Sequence, residues 1–135
     1  MATAFLVCGG VIVAIGGFQR WEITWGFTGE GFPETGVESG VGRVVVALGV
    51  ATVVCALVRP LRPGAWIGAV GALILTGAKV VSTLPYVVPL GGETSQPRAG
   101  LALTFLGALI AAIGVIIDLT ATSRRTKRDS PSALR

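Results

Sequence analysis

A chain of 135 residues that is 52% apolar and 13% charged carries about half the charge of a soluble domain, where the share is roughly 25%. The formal net charge is +4 and there is no histidine, which excludes imidazole-based triads and imidazole metal sites. Long uncharged stretches, with the few charges gathered between them, are the composition of a membrane protein.

The first apolar run, residues 2–18, fits a transmembrane helix if its start lies at the membrane surface. It lacks the basic leading region of a signal peptide and shows no A-x-A site before Gln19, so it is expected to be retained. The sequence FLVCGG around Cys8 is only distantly like a lipoprotein box, because Val7 is bulky where a small residue is wanted.

Residues 19–40 differ from everything around them. RWEITWGFTGEGFPETGVESG holds four glutamates and two tryptophans. Trp21, Ile23, Trp25 and Phe27 alternate with Glu22, Thr24, Gly26 and Thr28, the period-two signal of a strand. Gly29, Gly31, Pro33 and Gly36 then break the pattern into turns. A strand cannot leave its backbone groups unpaired in lipid, so this loop is placed at or above the headgroups. Its aromatic side is expected to rest on the bundle top or in the interface, either as an anchor or as a small cap that meets a partner through Trp21, Trp25 and Phe27.

A second span is expected over 41–58, with Arg43 reaching its head to the interface. The sequence RPLRPG at 59–64 reads as a tight turn, since proline ends helices. The third span, 64–84, and the fourth, 99–119, are of ordinary length for a bilayer crossing. Between them lies a polar loop containing GGETSQPR. The fold expected is therefore an all-α bundle of four transmembrane helices over residues 1–122, with a short β-like external loop. Residues 123–135, basic and containing a proline, are expected to form a disordered tail that meets anionic lipid at most weakly.

Orientation follows from the basic residues. Arg59, Arg62, Arg124, Arg125, Lys127, Arg128 and Arg135 fall on one side, while Arg20, Arg43 and Arg98 fall on the other. The positive-inside rule puts the first set, and both termini, in the cytoplasm.

Little in the chain suggests chemistry. Cys8 and Cys55 read as small packing residues near a reducing side, no other soft ligand accompanies them, and no nucleotide fingerprint is present. No cofactor, metal or nucleic acid is expected, and neither is an enzyme. Lys79 is the one ionisable residue well inside a span, which makes it a functional candidate. It lies about 7 Å below the external boundary, within reach of a snorkelling side chain, and Glu22, Glu30, Glu34 or Glu38 are its candidate partners. Asp118 lies at the opposite end of its helix, about 20 Å away in depth, and is not expected to pair with it. Small residues recur every fourth position: Gly64, Gly68, Ala72 and Thr76 in the third span, and Gly100, Thr104, Ala108 and Ala112 in the fourth. Such stripes let helices approach closely, either against each other or against another protein.

Two transporter families of similar size do not fit. Small multidrug-resistance exporters need an acidic residue in the first helix, and residues 2–18 contain none. Double-barrelled fluoride channels share an early Gly-Gly and Arg, as in GGFQRW, but need an asparagine that this chain lacks altogether. The aromatic and acidic first loop, the short basic turn and the Gly-led segment AGLALTFLGALIAAIG resemble those of many small, uncharacterised four-helix proteins of bacterial membranes. Claudin-like proteins share the plan, but their paired loop cysteines are missing here. The resemblance is architectural and carries over no functional residue. The small-residue stripes, as a lateral contact, and the Trp/Glu loop, as an external one, lead to the expectation of a non-enzymatic accessory or scaffold subunit of a plasma-membrane complex, associating with other membrane subunits or with itself. The alternative is a small oligomeric channel or transporter, for an anion, whose path passes Lys79.

Overall fold

The computed structural model of the chain describes residues 1–25, 31–83 and 95–129. Helices α1 (Ala2–Gly17), α2 (Gly40–Leu57), α3 (Arg62–Thr83) and α4 (Ala99–Asp129) carry most of them. Strands β1 (Arg20–Trp25) and β2 (Gly31–Thr35) lie between α1 and α2, and β3 (Ser95–Pro97) leads into α4. A 3-10 turn, Arg59–Leu61, joins α2 to α3.

Three of the helices, α2, α3 and α4, are long and apolar enough to cross a membrane. With 16 residues, α1 is apolar but shorter, extending about 24 Å against a hydrocarbon core of about 30 Å. At the start of α2, the Ser39 hydroxyl accepts from the Gly42 N–H at 3.0 Å and donates to the Gly36 carbonyl at 2.9 Å, the usual work of an N-cap. Arg43 folds back, its Nε donating to the Val37 carbonyl at 2.8 Å. Pro63 sits in the first turn of α3, where the missing N–H costs nothing.

The far end of α4 departs from expectation. In place of a span ending near 119 and a disordered tail from 123, the helix continues to Asp129. Thr122 to Asp129 contains neither Gly nor Pro. Arg and Lys are good helix formers and complement the negative end of the helix dipole. Residues 130–135 lie outside the described residues.

The helices pack in a ring. α1 touches α4 and α2, α3 touches α2 and α4, and the α1–α4 pair is the most intimate while α3 and α4 meet least. Glycine explains the closeness of α1 and α4. A Cβ on Gly9 would lie 2.6 Å from the Gly107 carbonyl oxygen, and one on Gly107 would lie 2.9 Å from the Gly9 oxygen. With only hydrogen at both positions, the backbones touch directly.

This ring sends the two small-residue stripes to different partners. Gly64 and Gly68 face α2, where added Cβ atoms would meet Cys55 Sγ at 3.1 Å and Thr52 Oγ1 at 2.5 Å. Thr104 lies on Gly16 of α1, and Gly100 lies under the backbone of Gln19 and Arg20. Gly64 and Gly68 of one stripe, and Gly100 and Thr104 of the other, are therefore taken up by α2 and by the α1 end, not by each other. Ala72 and Ala108 are buried in a core at one end of the bundle with Val13, Trp21, Val45 and Leu101. A second core, at the other end, gathers Leu6, Ala56, Ala65, Ala69, Ala111 and Val115.

The sheet closes the first end. β1 is central, pairing antiparallel with β2 on one side and β3 on the other. β1 matches the alternation seen in the sequence, whereas β2 occupies Gly31–Thr35, where turns were expected, because β1 offers that segment a partner edge. The third strand comes from the distant α3–α4 connection.

Candidate functional site

Two places in the fold bring polar and aromatic groups together, one at each end of the bundle. At the sheet end, the register of β1 shifts between Arg20 and Glu22, and Trp21 is the residue at the irregularity. A bulge re-aims a side chain. Here it turns the indole into the bundle, where only 1% of Trp21 is exposed. Its Nε1 donates to the Gly16 carbonyl at 3.0 Å. The ring packs against Gly36, where an added Cβ would lie 2.5 Å from its Cε2 and Nε1. The Trp21 carbonyl accepts from the Arg98 N–H at 2.7 Å, which ties the start of α4 to the same residue. Trp21 thus serves as an internal plug. The backbone of Trp25 lies in β1, its side chain is outside the described residues, and so is the whole of Phe27.

At the other end, three helices meet around one carboxylate. Asp118 of α4 is 7% exposed. One oxygen faces Arg62 Nη1 of α3 at 3.4 Å and the other accepts from Trp66 Nε1 at 3.2 Å. Arg62 Nη2 also donates to the Thr3 hydroxyl of α1 at 2.8 Å. The positions involved are more than fifty apart in sequence. A carboxylate at the edge of an apolar bundle is costly unless paired and hydrogen-bonded, and this one is both. The arginine is the more open partner, with 40% of its side chain exposed.

Trp66 also forms one end of an apolar groove between α3 and α4, lined by Ile67, Val70, Gly71, Ile74, Val115 and Leu119, with a volume of about 500 Å³. It exists because α3 and α4 are the least closely packed neighbours in the ring.

Lys79 is half-buried in the last turns of α3, with Ser82 Oγ donating to its carbonyl at 2.8 Å. Among its candidate partners, Glu38 turns elsewhere: its carboxylate accepts from the Thr35 N–H at 2.7 Å. That bond holds the Glu38 carboxyl below its ordinary value of 4.5. Glu34 is exposed, Glu30 lies outside the described residues, and so does the side chain of Glu22. Cys8 is exposed and Cys55 partly buried, both as free thiols.

Local sequence does not reveal the Arg62–Trp66–Asp118 cluster, because its members come from two helices more than fifty residues apart. The signal available was depth: Asp118 and Arg62 were both expected near the same face of the membrane, and an acid at the edge of a span needs a base at its own level. No family model matches the chain, and no curated protein or solved structure is significantly similar to it.

Proposed function

We propose that the chain is a non-enzymatic, multi-pass protein of a bacterial plasma membrane that works by lateral association, as an accessory or scaffold subunit of a larger complex. All four helices cross the bilayer in this reading, α1 with its ends at the two interfaces. Both termini lie in the cytoplasm by the positive-inside rule. The observation that supports association over transport is the closure of the interior. The α1 and α4 backbones touch through Gly9 and Gly107. The buried hydroxyls of Thr52, Thr76 and Thr104 each donate to a carbonyl of their own helix, so among the described residues the bundle core binds its own polar atoms and offers none to a passing solute.

The small-residue stripes and Trp21 are used within the chain, so the partner surface is sought on the outward faces of α2 and α4. Val50, Val54, Leu109 and Ile113 are exposed there. The anion-channel reading needs a path between copies, past Lys79. Extraction in mild detergent, followed by sizing and mass spectrometry of what co-migrates, separates the two. A fixed stoichiometric partner supports the subunit reading. A pure homo-oligomer whose liposomes pass anions, and stop doing so with Lys79→Met, overturns it.

A further inference from the structure

The groove between α3 and α4 has three properties that together specify an occupant. The first is length. Its wall on α3 runs from Trp66 to Ile74, about 12 Å of helix, and a single leaflet of hydrocarbon is about 15 Å deep. It begins four residues after Arg62 and stops near the middle of α3, so it covers one leaflet and not the other. A transmembrane helix or a second copy docking here would want a seam along the whole span. The second is polarity. The groove, about 500 Å³ in volume, is walled by apolar side chains of α3 and α4, so it takes hydrocarbon and offers a polar group no partner along its length.

The third property is charge at the mouth. The acid of the Arg62–Asp118 pair is the buried partner and the base is the exposed one. Asp118 holds the guanidinium beside the Trp66 ring, which forms the end of the groove. Two guanidinium bonds go to Asp118 and Thr3, and a guanidinium has five N–H donors to offer. Arg124, exposed six residues beyond Asp118, brings a further positive charge to that end. Basic groups at such an end of a helix pair suit an anionic headgroup.

We infer that this groove is a binding site for one anionic phospholipid, with an acyl chain between α3 and α4 and the phosphate on Arg62. The inference rests on the membrane placement proposed above, but not on the subunit role. Trp66 reports it directly. The full-length chain is reconstituted in vesicles of phosphatidylcholine and phosphatidylglycerol, with bromine on the acyl chains of one lipid or the other. Tryptophan quenching is then read against mole fraction, and the signal of Trp66→Phe vesicles is subtracted to remove Trp21 and Trp25.

Brominated phosphatidylglycerol should quench Trp66 at about one fifth the mole fraction that brominated phosphatidylcholine needs, the advantage of one basic residue at the surface. The preference should fall towards unity in Arg62→Gln and in high salt, and shrink partially in Arg124→Gln, which lies outside the packed pair. Val70→Phe should fill the groove and weaken quenching by both lipids. Equal quenching by the two lipids in proportion to their abundance would mean ordinary boundary lipid and would overturn the site. So would a preference that survives Arg62→Gln, or a Trp66 that neither lipid quenches, which would place protein in the groove. Failure of the chain to float with the vesicles would instead reject the membrane placement itself.

Discussion

Trp21 and Asp118 do related work at opposite ends. Each is a group whose polar atom is satisfied inside an apolar setting by a partner from another element. For Trp21, the ring fills space between α1, α2 and α4 while Nε1 binds Gly16. Trp21→Phe keeps most of the volume and loses the bond, so it should destabilise by about 1 kcal/mol, while Trp21→Ala should cost about 3–5 kcal/mol. Reversible unfolding in mixed detergent micelles would measure both. The two members of the ion pair should respond unequally. Arg62→Gln strands a nearly buried carboxylate, whereas Asp118→Asn leaves an arginine that can turn to solvent. The arginine variant should therefore be the less stable, towards the 3–5 kcal/mol seen for broken buried pairs. Equal stabilities would mean that the carboxylate is not desolvated.

Glu38 provides a residue-scale test against pH. Its carboxyl is held below its ordinary value by the Thr35 N–H, so the charged form is favoured by folding. The stability it contributes is present above about pH 4.5 and is lost as pH falls through the lowered value. Glu38→Gln should remove a small acid-dependent loss of thermal stability below about pH 4.5, with no change at neutral pH beyond the lost N–H···carboxylate bond. The effect should be small because the group is fully exposed to solvent.

At the scale of elements, glycine separates helices that touch from helices that do not. Gly9 has backbone of α4 within van der Waals reach of any added carbon, whereas Gly40 has nothing within 4 Å. Gly9→Ala should force α1 and α4 apart at about 1–3 kcal/mol. Gly40→Ala, at the open first turn of α2, should be neutral or stabilising by up to about 1 kcal/mol. Opposite signs in the same unfolding assay would confirm that the α1–α4 contact is made by backbone. The sheet belongs to this scale too. β1 was legible because alternation of aromatic and β-branched residues is local, whereas β2 was hidden by Gly31 and Pro33, which read as turn residues. β3 was not legible either, since Ser-Gln-Pro has no strand pattern and takes its strand geometry from β1.

On the scale of the whole molecule, the ring of four helices has one tight seam, α1–α4, and one loose one, α3–α4. Both cores sit inside that ring, and the loose seam carries the groove. Sheet and ion pair close opposite ends, so the loop between α1 and α2 is built into the fold and is not an appendage. Lys79→Met should therefore leave assembly size nearly unchanged under the association reading, as checked by sizing in detergent. A large shift in oligomeric state would place Lys79 at a contact between copies.

Hydropathy, charge and turn residues by themselves determined the number of helices, the length and apolarity that would let three of them cross a membrane, the proline-bounded turn and the strand after α1. Each depends on neighbours within a few residues, on how much of a segment prefers lipid and on which backbone angles it allows. Which helix meets which was not determined in that way. In hydrocarbon a small residue is as acceptable against one neighbour as another, so the stripes of α3 and α4 fit several arrangements equally well. Only the closed ring selects α2 for one and α1 for the other. The pairing of Arg62 with Asp118, the third strand and the groove follow from that same choice, because each joins residues that only the tertiary structure brings to one place.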